Sequence, residues 1–290
     1  MRGICAITGA SGYIGSCVAN RLANAGWEVR ALCRGQSGRK QSGFAEAHFE
    51  LGQPVAPRAL AGADALVHLA YDFSLTRWTD IERVNVEGSR QLLAGARAAG
   101  IDRIVYMSSI AAFPTASSMY GRAKLACERA ALAAGAAAVR PGRVWGPRGA
   151  ATFGALERAV ESLPVVPLPA PGGLKLYFTH EDDLAALVEG LIDLWPAGSG
   201  KLYVAASADW LEFEEFLRSL ALRAGRRPRF VQLPWRFVRL GLKILEDMGA
   251  KPPFRSDGIL SLAKGDERPL AHATDHTDRY GVSFRPYALT

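Results

Sequence analysis

"TGASGYIGS", residues 8–16, carries three glycines spaced three apart: Gly9, Gly12 and Gly15. Its flanks decide what it is. Ile4-Cys5-Ala6-Ile7 precedes it, a short apolar run with the composition of a buried strand. Ile14, Val18 and Leu22 follow at fourfold spacing, which predicts an amphipathic helix. Gly26 closes that helix, and residues 28–33 predict a second strand. The glycines therefore occupy the strand-to-helix turn of a βαβ unit, the context a dinucleotide-binding loop requires. Gly9 would allow the tight turn, Gly12 the approach of a pyrophosphate, and Gly15 close helix–strand packing. The first helical turn would then present its free N–H groups to phosphate.

The same alternation continues outward. Strands are predicted at 65–70, 103–107 and 137–139, with helices at 79–99 and 123–134. This order implies a doubly wound parallel sheet, an α/β Rossmann fold covered on both faces. The second half differs. Residues 146–175 are rich in Gly and Pro, helices are predicted at 181–195 and 211–224, and a strand at 201–205. Residues 235–245 form a basic amphipathic stretch. The expectation is that its apolar side packs on the core with the arginines solvated, a membrane surface being the other use.

Bulk properties set bounds. Of 290 residues, 49% are hydrophobic and 22% charged, as in an ordinary globular protein. No apolar run reaches the roughly 18 residues of a membrane span. Met1-Arg2 runs straight into the first strand, leaving no room for a signal peptide. Cys5, Cys17, Cys33 and Cys127 show no metal spacing and suit reduced thiols in a cytoplasmic protein. The net charge of +7 fits an anionic ligand or simple solubility. No basic run is interleaved with aromatics, so nucleic acid is not expected as a partner. His272, Asp275, His276 and Asp278 lack metal-ligand spacing, and no metal is expected.

The end of the second strand reads Leu32-Cys33-Arg34, with Arg39 and Lys40 beyond. An acid there would suit the ribose hydroxyl of NAD, whereas an arginine suits the 2′-phosphate of NADP. NADP(H) is therefore favoured, with NAD as the alternative. Further on, "YMSSIAAFPTASSMYGRAK", residues 106–124, places Tyr120 and Lys124 four apart on one helical face. A neighbouring ammonium should lower the pKa of the phenol and fit it for proton transfer. Ser109, at the end of the preceding strand, could bond a substrate carbonyl.

With these motifs the chain resembles the extended short-chain dehydrogenases/reductases, the NAD(P)-dependent epimerases, dehydratases and reductases. The resemblance rests on residues 8–15, on 64–70, and on Asn85-Val86-Glu87-Gly88. Ser108-Ser109, residues 120–124, Arg140 to Pro147, and Phe178 to Ala185 complete it. It implies a catalytic set of Ser109, Tyr120 and Lys124, supported by Asn85. It implies cofactor contacts at Gly9, Ser11, Gly12, Tyr13, Ile14 and Gly15, then at Arg34, Leu51, Leu69 and Ala70. Pro141 and Val144 would lie near the nicotinamide, with Tyr120 and Lys124 reaching its ribose. Phe113-Pro114 stands where nucleotide-sugar members commonly carry Tyr-Gly, Arg143 where they carry an Asn, and Leu176 where they carry an Arg. The nucleotide-sugar site is thus not clearly reproduced.

Tyr71, Phe113, Arg143 and Lys175 are candidate contacts for a small-molecule substrate, with a structural ion pair as the other reading of Arg143. Asp182 and Asp183 read as helix-capping acids, and His68 as a core histidine. The expected function is NADP(H)-dependent interconversion of a small-molecule carbonyl and alcohol. An NDP-sugar epimerase or dehydratase holding NAD tightly, and a non-catalytic NADPH-binding protein, are the alternatives. The expected organisation is one unit over 1–290. Its binding core covers about 1–145 plus 176–206, and its substrate lobe about 146–175 and 207–290. The family's habit makes a homodimer a possible assembly.

Overall fold

The computed structural model describes residues 2–34, 43–149, 153–170, 172–249, 255–265, 270 and 277–288. Its strands are β1 (Ile4–Thr8), β2 (Glu28–Cys33), β3 (Ala45–His48), β4 (Ala65–His68), β5 (Arg103–Met107) and β6 (Ala137–Pro141). Then follow β7 (Arg143–Trp145), β8 (Val165–Ala170), β9 (Lys175–His180), β10 (Leu202–Ala205), β11 (Trp210–Glu212) and β12 (Arg229–Pro234). A parallel sheet of seven strands runs β3-β2-β1-β4-β5-β6-β10.

Both faces are covered, and β1 shows how the sequence achieves it. Cys5 and Ile7 pack with helices Tyr13–Asn24 and Glu181–Asp193 through Val18, Leu22, Leu184 and Val188. Ile4 and Ala6 point the other way, into the core with Leu92 and Leu93 of helix Gly88–Ala98 and Ala123 of helix Met119–Ala133. Alternate residues thus feed opposite cores, so a buried parallel strand is apolar throughout.

Three departures from the sequence reading position the site. The expected helix over 79–99 is interrupted by a π-helical turn at Glu82–Glu87. Just beyond it, a Cβ on Gly88 would come within 2.5 Å of the Gly52 nitrogen, so this segment lies hard against the loop after β3. The expected helix over 123–134 begins at Met119, because the Ser118 hydroxyl accepts from the Gly121 N–H at 3.0 Å. The Pro-rich segment 163–169 is not simply a loop. It contains β8, which pairs in parallel with β12 in a separate two-stranded sheet. Pro167 and Pro169 fit there because edge strands tolerate missing N–H groups.

A further core joins the C-terminal elements. Phe153, Phe178 and Phe216 pack together with Leu217 and Leu262. It links β9 to helices Gly154–Ser162, Phe213–Arg223 and Ser256–Ala263. The helix Trp235–Asp247 corrects the expectation for the basic amphipathic stretch. None of its residues is buried, and Phe237, Leu240, Ile244 and Leu245 face outward. Among the described residues, no helix is long and apolar enough to cross a membrane.

Candidate active site

The glycine turn takes the shape its spacing predicts. Gly9 has φ +71°, a left-handed conformation that glycine adopts without strain. A Cβ on Gly15 would overlap the Gly9 carbonyl, so only glycine lets this helix sit so close to β1. Gly12 is the N-cap of helix Tyr13–Asn24, no side chain caps that end, and the first turn holds no acid. Its free N–H groups and dipole therefore suit a pyrophosphate.

Ser11 and Ile14 lie in this turn. The Tyr13 ring turns away from it instead. A Cβ on Gly149 would overlap that ring, and burial with Glu181 nearby holds the phenol well above its ordinary pKa. Tyr13 can thus offer phosphate its backbone rather than its hydroxyl.

A buried hydrogen-bond chain supports the cleft. Thr8 Oγ1 accepts from the N–H groups of Leu69 and Ala70, both at 3.1 Å, and contacts His68 Nδ1 at 2.7 Å. His68 Nε2 meets Ser89 Oγ at 2.9 Å, and Ser89 Oγ donates to the Asn85 carbonyl at 2.6 Å. One assignment satisfies every member: Thr8 donates to Nδ1, and Nε2–H donates to Ser89. His68 is therefore a neutral core histidine, its pKa lowered to about 3 by burial and by Lys124. Leu69 and Ala70, expected along the cofactor, are placed by this chain.

Asn85 sits inside the π-helical turn and is fully buried. Its Oδ1 accepts from the Asp72 N–H at 2.7 Å, and its Nδ2 donates to the Asp72 carbonyl at 3.2 Å. Its side chain thus fixes the loop after β4, which carries Tyr71 and Phe73. Leu51 lies beside Gly88, in contact range of a Cβ built there. Arg34 is exposed at the tip of β2. Asp72 has its pKa lowered by Ser74 first, with Arg34 among the smaller causes. Arg39 and Lys40 lie outside the described residues, as do His272, Asp275 and His276.

Ser109, Tyr120 and Lys124 come together between β5 and helix Met119–Ala133. Lys124 is buried, with Nζ donating to the Met107 carbonyl at 2.8 Å and lying 5.0 Å from the Tyr71 ring centroid. Burial lowers its pKa to about 8, partly offset by Cys127 and Glu128. The expectation that Lys124 lowers the Tyr120 pKa is not met. Desolvation dominates and raises it, and the opposing influence is a hydrogen bond with Ser109. Beneath this group, Ser108 donates to Glu128 at 2.6 Å, and Glu128 holds Arg140 through bonds of 2.7 and 2.6 Å.

Ser109 and Tyr120 open onto a cavity of about 520 Å³. Its wall is largely apolar, with Tyr71, Phe73, Leu75, Ile110, Met119 and Leu262 among its side chains. Tyr71, Arg143 and Lys175 line it; Phe113 does not, being 7% exposed in the interior instead. Burial lowers the Arg143 pKa, and no ion pair engages this residue among the described residues. Lys175 stands 4.3 Å from the Trp210 ring centroid. Pro141 and Val144 are buried on either side of Gly142, itself part of the cavity wall.

Sequence reasoning missed Arg255 and Asp257. Asp257 accepts from the N–H groups of Met119 at 2.9 Å and Tyr120 at 3.2 Å. Arg255 donates to the Phe73 carbonyl at 3.0 Å. Both lie far along the chain from the nucleotide motifs, and the only local signal is an acid in a helix's first turn. The acids at 182 and 183 also behave differently from expectation. His180 is the N-cap, accepting from Asp182 N–H at 3.2 Å, while Asp183 pairs with Arg285 and Asp182 with Arg148.

The sequence model of the NAD dependent epimerase/dehydratase family matches residues 5–193. The chain belongs to that family. Within it, the chain is 32% identical to a ceramide reductase of Caulobacter vibrioides, over 80% of this chain and 74% of that protein. It is 26% identical to a "4-hydroxy-2-methyl-3-oxo-4-farnesyl-3,4-dihydroquinoline-1-oxide ketoreductase" of Stigmatella aurantiaca, over 83% of this chain and 79% of that one. The crystal structure of gox2253 superposes with a TM-score of 0.73 at 25% identity, covering 98% of this chain and 94% of that one. Family membership makes the chain an NAD(P)-dependent enzyme with a nicotinamide dinucleotide cofactor.

Proposed function

We propose that the protein is an NADP(H)-dependent reductase that turns the ketone of a lipophilic small molecule into an alcohol. The observation that carries the reading is the Tyr120 phenol at the wall of an apolar cavity, kept protonated by burial. A phenol held in its neutral form suits the reductive direction, in which the substrate oxygen must gain a proton. The two relatives are named as reductases of a ceramide and of a farnesylated quinoline, both apolar molecules, which accords with this cavity wall.

A bound nicotinamide supplies the hydride. Ser109 orients the substrate carbonyl through its hydroxyl. Tyr120 donates its proton to that oxygen as negative charge builds there. Lys124, with a pKa of about 8, carries positive charge at neutral pH and stabilises the phenolate left behind. Asn85 acts one step away, through the loop that carries Tyr71 and Phe73. Arg143, at the cavity wall, offers a polar anchor for the substrate head. Arg34 receives the 2′-phosphate of NADP(H). The free thiols of Cys5, Cys17, Cys33 and Cys127 support a cytoplasmic setting, and a homodimer is the assembly the family suggests.

Calorimetric titration with NADPH and NADH, on wild type, Arg34→Ala and Tyr120→Phe, tests this. NADPH should bind more tightly, and Arg34→Ala should weaken it by about tenfold or more, the size of a lost charge-assisted contact. Tyr120→Phe should retain NADPH but lose roughly 10²–10⁴-fold in ketone reduction. Equal binding of both cofactors, or NAD carried stoichiometrically through purification, overturns the reductase in favour of an epimerase. Full activity in Tyr120→Phe removes the proton-transfer role.

A further inference from the structure

Helix Trp235–Asp247 and the residue after it present an apolar stripe to solvent. Phe237 is 67% exposed, Leu240 55%, Ile244 50% and Met248 77%. Their spacing puts all four on one side of the helix, with Leu245 at the edge. Trp235, Val238, Leu242 and Glu246 lie on the opposite side and are half-buried. Along one flank of the stripe run Arg236 and Lys243. With Trp235, Arg239 and Leu240 they line a shallow groove of about 320 Å³. Lys264 adds its ammonium 5.8 Å from the Trp235 ring centroid. The Arg239 Nε is buried without a hydrogen-bond partner among the described residues.

A solvent-facing helix of a soluble domain ordinarily shows its polar side to water. Here the apolar side is outward and the cations stand beside it. That combination matches the boundary between acyl chains and anionic headgroups. The whole chain carries +7, so the long-range field points the same way.

We infer that helix Trp235–Asp247 docks the protein on an anionic lipid bilayer, with Phe237, Leu240, Ile244 and Met248 in the acyl boundary and the exposed Arg236 and Lys243, the latter also 3.0 Å from Asp247, at the headgroup phosphates. The helix also adjoins the mouth of the cavity. Ser256 donates to Glu246 from its backbone at 2.8 Å and from its hydroxyl at 2.7 Å. The preceding residue, Arg255, holds the Phe73 carbonyl, and the 66% exposed Phe73 ring stacks 5.7 Å from that of Tyr120. Where the cavity takes a lipophilic ketone, as proposed above, docking brings its rim to the surface where that ketone resides. The docking itself does not depend on the reaction.

Vesicle co-sedimentation of the full chain tests it, with phosphatidylglycerol–phosphatidylcholine vesicles against phosphatidylcholine alone. Wild type should sediment with the anionic vesicles, and added salt should release it. Leu240→Glu/Ile244→Glu and Arg236→Glu/Lys243→Glu should each weaken binding at least about tenfold, with unchanged circular dichroism. If the first pair unfolds, the second, at exposed positions, decides alone. Wild type remaining in the supernatant, or charge-reversed protein binding as wild type does, overturns the proposal. So does a wild-type dimer in lipid-free sedimentation velocity that Leu240→Glu/Ile244→Glu converts to monomer, since the stripe would then belong to a second copy. None of these readouts involves NADPH, so loss of the reductase reading leaves the test intact.

Discussion

Strand β1 and helix Trp235–Asp247 are opposites. From Cys5 to Thr8 the strand is inaccessible, and even its polar residue, Thr8, is saturated with hydrogen bonds. The helix buries none of its residues and leaves its apolar stripe in water. The sheet half is closed on itself: Thr8, His68, Ser89 and Asn85 satisfy one another, and Ser108, Glu128 and Arg140 do the same, as burial demands. Helix Trp235–Asp247 is open instead, and its surplus apolar area finds no partner among the described residues. A self-satisfied region specifies structure, whereas an unsatisfied one specifies contact with something else.

The closed half should therefore be intolerant of single polar deletions, most of all at Glu128. Its carboxylate is the partner of Arg140, both are almost inaccessible, and Ser108 completes the site. Glu128→Ala leaves a buried guanidinium uncompensated, and chemical denaturation should show a loss of about 3–5 kcal/mol. Replacing Arg140 as well, in Glu128→Met/Arg140→Met, should recover much of it. A loss below about 1 kcal/mol in the single variant would mean water reaches Arg140, and would blur the contrast between the two regions.

His68 gives the next effect, and its sign follows from the direction of its shift. Its folded pKa of about 3 lies below the ordinary 6.5, so below pH 6.5 the unfolded chain binds more protons than the native one. Stability is thus full above pH 6.5 and falls as pH drops towards 3. Between about pH 6.5 and pH 4.5 this histidine alone should remove roughly 2 kcal/mol. His68→Gln should be less stable at neutral pH yet flatter across that window in urea titrations. An unchanged slope would show that His68 is not the acid-sensitive member of the chain from Thr8 to Asn85.

How far each region could be read from sequence follows the same divide. β1, the glycine turn and β2 were legible because burial on both faces leaves an unbroken apolar run, and close packing leaves only glycine at Gly15. Ser109, Tyr120 and Lys124 were legible as a pattern along a short stretch. The Tyr120 pKa was not, because desolvation depends on the walls that the distant 255–265 segment supplies. The π-helical turn at Asn85 was illegible because its residues read as ordinary helix. Phe113 was misplaced because an aromatic in a loop beside a cavity can as easily enter the core. The helix Trp235–Asp247 was read correctly as amphipathic, but periodicity does not say whether the apolar side points in or out.

Asp257 joins the two regions and gives the smallest effect. Its carboxylate, from helix Ser256–Ala263, accepts from Met119 and Tyr120 at the start of helix Met119–Ala133. Ser118 already caps that helix through Gly121, so Asp257 is a second cap. Asp257→Ala should therefore cost only about 1 kcal/mol of stability, read as a small drop in Tm. Its larger consequence should be local. The Tyr120 N–H would lose its partner, and Ser256–Ala263 would lose one of its ties to the cavity wall, the Ser261–Ser118 bond of 2.6 Å remaining. KM for a lipophilic ketone should rise more than kcat falls, because the wall shifts while Lys124 stays anchored to the sheet through the Met107 carbonyl. Equal losses in both would instead place Asp257 among the groups that fix the phenol itself, and the boundary between the closed and open regions would then run through the active site rather than beside it.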